Sequence, residues 1–360
     1  MVALLDPWSS DLIADYTRVV RQFGLETFDP TLFPSPNRIM RRGIVFAGRD
    51  LDRIAHCIKN KKPFYALSGI MPTADRIHLG TKMVVENLKY FQDHGALTYI
   101  LIADLEACAT RQVSLAEARR RAFEFHIPAY LALGLDPAKT IFYFQSENKA
   151  VSNLGFLFSQ KVTANEFKAI YGGIDPAHVM SALTQAGDMV FPQLAKRMPG
   201  IIPVGIDQDP HVRLCRDLIS RFKDEKYVPI SSMYHQFTPA LNGEMKMSKS
   251  HPESCLELPE DASSIARKIA RAKSGGRATL AEHRAKGAVL SDDMTFALLK
   301  MHFIEDDAEL SRLAMAYGSG QMTTGELKEI AVKKITSYMD DFSSRFEKAK
   351  KRLKTLQFAS

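Results

Sequence analysis

The chain has 360 residues, a formal net charge of +7, and 46% hydrophobic and 25% charged residues. This is the make-up of an ordinary globular protein with room for two or three domains, and it excludes a fibrous or low-complexity chain. No apolar run approaches the ~20 residues that cross a bilayer, and Met1–Trp8 lacks the basic and apolar stretches of a secretory leader, so no membrane partner is expected. Cys57, Cys108, Cys215 and Cys255 are widely spread with no CxxC pair, which predicts neither a zinc site nor a disulfide framework and suggests a reducing cytoplasm. The positive charge is compatible with an anionic partner.

In chain order, Asp11 to Phe23 has helical spacing, and Pro30, Pro34 and Pro36 then interrupt the chain. Arg41 to Phe46 reads as a short strand and Asp50 to Lys59 as a helix. Pro63 to Leu67 reads as a first core strand ending at Ser68-Gly69. Thr81 to Asp93 is an amphipathic helix. Leu97 to Ala103 is the nearly continuous apolar run of a buried parallel strand. A long helix is predicted from Leu115 to Leu133, a strand from Thr140 to Phe144, and a helix around Ser181 to Asp188. A further strand, Ile201 to Gly205, precedes a helix from Asp209 to Phe222. This alternation predicts an α/β fold, a doubly wound parallel sheet of Rossmann-like form with ligands beyond the carboxyl ends of its strands.

From Ala262 onward the pattern becomes helical, over Ser263 to Ala272, Asp293 to Phe303, Ala308 to Tyr317 and Thr324 to Leu353. The expected organisation is a short mixed segment (1–60), a catalytic α/β domain (61–260) and an all-α C-terminal domain (261–360).

Polar clusters fall at the predicted strand ends: Ser68-Gly69, Asp104 with Glu106, and Gly205-Ile206-Asp207-Gln208-Asp209. Gln185 and Asp188 lie on one helix. Together these residues suit a crevice that reads an amino acid beside a nucleotide. Two further segments suit a polyphosphate. Lys246-Met247-Ser248-Lys249-Ser250 is a cationic loop with two hydroxyls, and Pro72 to Gly80, ending His78-Leu79-Gly80, reads as a strand-to-helix turn.

These two segments resemble the HIGH and KMSKS signatures of class I aminoacyl-tRNA synthetases. Gly205-Ile206-Asp207-Gln208-Asp209-Pro210-His211, with Arg213, Arg216 and Asp217, resembles the hallmark segment of archaeal and eukaryotic tryptophanyl-tRNA synthetases. The resemblance extends to Arg41-Arg42-Gly43-Ile44 with Arg49-Asp50, and to Ala169-Ile170-Tyr171-Gly172. It continues through Ser274-Gly275-Gly276-Arg277 with Glu282-His283-Arg284, and Thr324 to Lys328, and so covers nearly the whole chain.

The resemblance implies activation of L-tryptophan by ATP and transfer to tRNA(Trp), with Mg²⁺ carried mainly by the ATP phosphates and no protein-held metal. It also implies a homodimer, and a C-terminal domain that reads the anticodon; DNA is not expected as a partner. His78, Lys246 and Lys249 match the catalytic positions. Ser68, Gly69, Gly80, Thr81, Gly205, Asp207, Met247, Ser248 and Ser250 match the remaining ATP positions, Thr81 standing where the family usually has His or Asn. Glu106, Gln185 and Gln208 match positions that hold the tryptophan ammonium and carboxylate. Leu67 and Leu101 stand where eukaryotic members carry a Tyr and a Gln for the indole N–H, and neither leucine can accept a hydrogen bond. Asp188 matches a bacterial Asp that accepts from the indole nitrogen, so it is expected to read that N–H here.

A tyrosyl-tRNA synthetase shares the fold and both signatures, and the Gln185 to Asp188 spacing fits it too. Leu67 and Ser181, however, replace the tyrosines expected there. A non-charging paralogue would usually lose the loop lysines, the HLG turn or the helical domain. A dinucleotide-dependent dehydrogenase is disfavoured because no GxGxxG follows the first strand.

Overall fold

The computed structural model describes residues 16–248 and 251–359. The start of the first predicted helix and the residues Lys249 and Ser250 lie outside the described residues. The chain forms two compact units, each discontinuous in sequence. One holds the described residues up to Asp75, Val84–Gln236 and those from Lys348 onward; the other holds Arg76–Met83 and Phe237–Glu347. In each unit, strand pairing joins pieces of chain that lie far apart in sequence.

The first unit is built on strands β1 (Glu26–Thr27), β2 (Val45–Arg49), β3 (Tyr65–Ile70), β5 (Leu97–Ile102), β6 (Thr140–Phe144), β7 (Gly200–Gly205), β8 (Ser231–His235) and β10 (Gln357–Phe358). The second contains the short strands β4 (Ile77–His78) and β9 (Glu257–Leu258). The large sheet has the order β1-β2-β8-β7-β3-β5-β6-β10. Its β1–β2 and β2–β8 pairings are antiparallel and the others parallel. From β3 the chain runs outward through β5 and β6 on one side and through β7 and β8 on the other. The strand order therefore reverses beside β3, where an open α/β sheet leaves a crevice at its carboxyl edge.

The core explains how that crevice is furnished. Tyr65, Leu67, Tyr99, Leu101 and Tyr143 belong to one buried cluster with Val151, Leu154, Ala182, Leu183, Ala186 and Met189. These last six come from the helices Lys149–Ser159 and Pro176–Val190. Burying one large apolar side chain of this kind contributes about 1.5–3 kcal/mol. A Cβ at Gly187 would stand 2.7 Å from the Val151 carbonyl oxygen, so the two helices meet too closely for a side chain there. Asp175 caps the second helix by accepting from the His178 N–H, and Pro176 occupies its first turn.

Three local expectations are corrected. Arg41 to Phe46 is not one strand: Asn37 accepts from the Met40 N–H and caps a helical turn, Arg38–Arg41, and the strand begins only at Val45. The long helix expected over 115–133 passes through a π turn, Ala122–His126, between Leu115–Arg121 and Ile127–Ala132. Pro128 has no N–H for the regular ladder, and the Ile127 N–H reaches back to the Ala122 carbonyl. The C-terminal region is also not strand-free, since β10 pairs with β6.

In the second unit, β4 and β9 pair with Ile77 opposite Leu258 and His78 opposite Glu257. The helices Ala262–Arg271, Leu280–Lys286, Met294–Leu298, Asp307–Gly318 and Thr324–Lys350 follow; four fall on the expected helical stretches, and Leu280–Lys286 is additional. The Ser274-Gly275-Gly276-Arg277 segment is tied down by Asp293. Its carboxylate accepts from the Gly275 N–H at 3.0 Å, the Phe296 N–H at 2.8 Å and the Tyr317 hydroxyl at 2.7 Å. No helix among the described residues is long and apolar enough to cross a membrane.

Candidate active site

Within the first unit, the register aligns Gly69 of β3, Leu101 of β5 and Tyr143 of β6 in one row across the sheet. Leu67 and Leu101 are both buried. Glu106 lies in the helix that follows β5 (Asp104–Arg111), and the Gln185 side-chain amide donates to both of its oxygens, at 2.8 and 2.9 Å. Burial pushes the Glu106 carboxyl up from its ordinary range against the pull of Gln185 and Ser181. Asp188, one helical turn beyond Gln185, is 0% exposed. It accepts from the Tyr143 hydroxyl at 3.0 Å and from the Gln145 amide at 2.7 Å. Burial pushes its carboxyl up to about 8, with the charges of Glu106 and Asp104 adding to the rise.

The structure thus brings together Glu106 with Gln185, and places Asp188 within electrostatic reach of Glu106. Buried carboxylates supported by neutral donors are costly unless a cation or a further donor completes them. An amino acid's ammonium and a ring N–H are groups of that kind. Gly205, Asp207 and Gln208 occupy the end of β7 and the 3-10 turn Ile206–Gln208, all but Ile206 partly exposed. Ser68 is buried and Gly69 exposed at the end of β3.

In the second unit, the His78 Nδ1 accepts from the Gly80 N–H at 3.0 Å. In a neutral imidazole this puts the proton on Nε2, leaving that nitrogen as the donor. A Cβ at Gly80 would lie 2.7 Å from His78 Cε1, so the glycine is required by the histidine ring itself. Thr81 follows, half-buried. Lys82 is buried, with its ammonium donating to the His302 carbonyl at 3.2 Å and lying 5.1 Å from the Tyr338 ring centre. In the cationic loop, Lys246 sits over Phe237 at 5.0 Å. Met247 is 1% exposed and its N–H bonds to the Thr238 carbonyl at 2.7 Å, so it anchors the loop while Ser248 stays partly exposed.

Other motif residues turn out to hold one another. Asp209 accepts from Arg49 at 3.0 and 3.1 Å and pairs with Arg213 at 3.1 Å; the Tyr234 hydroxyl donates to it as well. Asp209 therefore cross-links β2, β8 and its own helix instead of capping that helix. Arg216 pairs with Asp50 at 2.7 Å. Burial takes His211 down to about 3, so it remains neutral beside the Tyr171 hydroxyl at 3.0 Å.

Sequence reading missed Tyr143 and Gln145. Their one available signal was position, at and just beyond the carboxyl end of the predicted strand Thr140–Phe144.

The protein-family model for class I tRNA synthetases (W and Y) matches residues 59–339. The tryptophan–tRNA ligase of Methanocaldococcus jannaschii is 38% identical over 356 residues, 96% of each chain. That of Aeropyrum pernix is 39% identical over 358 residues. The crystal structure of the Aeropyrum pernix tryptophanyl-tRNA synthetase superposes with a TM-score of 0.89, covering 96% of this chain and 97% of that one. A tryptophanyl-tRNA synthetase from Encephalitozoon cuniculi bound to tryptophan gives a TM-score of 0.83 at 29% identity, covering 95% of this chain and 96% of that one.

Proposed function

Because the chain belongs to the class I tRNA synthetases of the tryptophan and tyrosine group, we infer that it is the ATP-dependent ligase that joins L-tryptophan to tRNA(Trp). The observation that carries this reading is the likeness to tryptophan–tRNA ligases along 96% of the chain. That likeness also sets aside the tyrosine enzyme of the same fold.

In the first step a tryptophan carboxylate oxygen attacks the α-phosphorus of ATP. The bond to the bridging oxygen breaks, and pyrophosphate leaves with the electron pair. A hydroxyl of the terminal tRNA adenosine then attacks the acyl carbon and AMP departs. Such chemistry depends on positioning and on stabilising phosphate charge more than on proton transfer.

We assign the roles as follows. Glu106, with Gln185 on it, receives the ammonium, and Gln208 faces the carboxylate. Leu67 and Leu101 line the indole, and Asp188 accepts from its N–H. Ser68, Gly69, Gly205 and Asp207 serve the nucleoside. His78 donates from Nε2 to a phosphate, with Gly80 and Thr81 at the head of its helix. Lys246 and Lys249 hold the departing pyrophosphate, supported by Ser248 and Ser250 and anchored by Met247. Mg²⁺ would be held mainly by the ATP phosphates and would offset their charge. The helical region 261–360 reads the anticodon.

The enzyme acts as a homodimer in the cytoplasm. Phe156 and Met180, 75% and 58% exposed on the Lys149–Ser159 and Pro176–Val190 helices, support the dimer. The free thiols Cys57, Cys108, Cys215 and Cys255 support a reducing compartment.

ATP–pyrophosphate exchange with tryptophan and with tyrosine, followed by aminoacylation of tRNA(Trp), tests the function. Exchange with tryptophan and charging of the tRNA are expected. Tyrosine-dependent exchange would overturn the pocket assignment, and exchange without charging would indicate a non-charging paralogue.

A further inference from the structure

We propose that Tyr143 and Gln145 are positioning residues for amino-acid specificity, holding the Asp188 carboxylate in the one orientation that meets a substrate N–H. The proposal rests on the reading of Asp188 as the indole acceptor.

Three observations carry it. First, the two donors bind different oxygens: the Tyr143 hydroxyl reaches Oδ1 at 3.0 Å and the Gln145 amide reaches Oδ2 at 2.7 Å. A carboxylate has about two acceptor sites on each oxygen. Anchoring both oxygens stops rotation of the group and leaves each with acceptor capacity for an incoming donor. Second, all three side chains are buried, Asp188 and Tyr143 at 0% and Gln145 at 1% exposure, so water does not supply these bonds from bulk. Tyr143 keeps its proton, because burial and the neighbouring Asp188 carboxylate both push its hydroxyl well above the ordinary range. It is therefore a fixed donor. Third, the Gln145 Oε1 is buried and has no hydrogen-bond partner among the described residues. Its amide is oriented by what the nitrogen does for Asp188, at the expense of its own oxygen.

The geometry has a consequence for selection. Tyr143 stands in the same row as Leu101, and both belong to the apolar cluster that includes Leu67. An apolar wall of this kind tolerates any flat bicyclic ring of the right size. Only the clamped carboxylate separates an N–H from an isosteric atom that lacks the hydrogen, because without the donor a buried acceptor is left unsatisfied.

The test compares tryptophan with 3-(3-benzothienyl)alanine, in which sulfur replaces the indole N–H. Both are assayed by ATP–pyrophosphate exchange in wild-type enzyme and in Tyr143→Phe, Gln145→Met and Asp188→Ala. The wild type should favour tryptophan. Tyr143→Phe should lower kcat/KM for tryptophan by about tenfold through KM, leaving the analogue and the KM for ATP unchanged, as expected for a weakened bond to a buried acceptor. Gln145→Met should act in the same direction and supplies the answer if Tyr143→Phe does not fold.

Equal loss for both substrates, or an unchanged preference, would overturn the proposal and reduce the pair to packing. If Asp188→Ala abolishes the preference while the other two variants keep it, the reading of Asp188 stands and the proposal fails. If Asp188→Ala keeps the preference, the underlying reading fails and the proposal falls with it.

Discussion

The backbone N–H of Gly80 donates to the His78 Nδ1 at 3.0 Å, so the glycine sets the tautomer of a histidine two residues away. The same glycine leaves the space the imidazole occupies. Its place in the HLG turn is thus an electronic and a steric requirement together, beyond any closeness of backbone to nucleotide.

Gly80→Ala tests that relationship. A methyl group 2.7 Å from His78 Cε1 must turn the ring away. Displacing a phosphate donor by about 1 Å costs on the order of a hundredfold in rate. The expected result is a loss of about that size in kcat for ATP–pyrophosphate exchange, with the KM for tryptophan little changed. A variant with wild-type kcat would remove His78 from the reaction.

Asp188→Ala is expected to raise the KM for tryptophan about tenfold or more, the effect of losing a buried hydrogen-bond acceptor. A change within about twofold, under ~0.5 kcal/mol, would end the indole assignment.

Asp188 also predicts a pH dependence of stability. Its carboxyl rises from the ordinary 3.8 to about 8 in the fold. Between these values the folded chain holds a proton that the unfolded chain has released, so stability falls as pH rises through this window. Glu106, raised by burial, adds in the same direction. Thermal midpoints of the wild type should decline from about pH 5 to about pH 8, and those of Asp188→Ala should decline less. Parallel curves would show that Asp188 is ionised throughout.

Asp209 is fully buried and its Arg49 partner nearly so, with side chains 0% and 14% exposed. Breaking such a buried pair costs up to about 3–5 kcal/mol, with Arg213 still compensating part of the Asp209 charge. Arg49→Met should therefore lower the denaturation midpoint strongly. Loss of activity without loss of stability would instead move Arg49 from the scaffold to the site.

The exposed Phe156 and Met180 predict an association surface. The wild type should sediment as a dimer, and Phe156→Glu with Met180→Glu should shift it to a monomer. A wild-type monomer at micromolar concentration would refute the homodimer.

Much of the first unit was legible because local rules were sufficient. The run Leu97–Ile102 is apolar on both faces, as a central parallel strand must be, and Glu106 follows it at the carboxyl edge. Strand β8 escaped notice because Ser-Ser-Met-Tyr-His has no apolar period. Its hydroxyls are satisfied by a distant partner and a near one: Ser231 donates to the Asp50 carbonyl at 3.0 Å, and Ser232 to the Tyr234 hydroxyl of the same strand at 2.8 Å. The pairing of Arg49 with Asp209 spans 160 residues and no spacing rule contains it.

The sequence by itself determined most of the elements and the family, and it supplied the candidate residues of the site. These depend on residue type and near neighbours: a glycine after a histidine, a lysine pair in a loop, polar residues after apolar runs. Only the tertiary structure decided which side chains meet. Glu106 and Gln185 come together because the helices that carry them pack against each other, and Asp188 acquires Tyr143 and Gln145 from the end of β6 and the turn after it. Burial then raises the Asp188 carboxyl, and burial is a property of the packed whole.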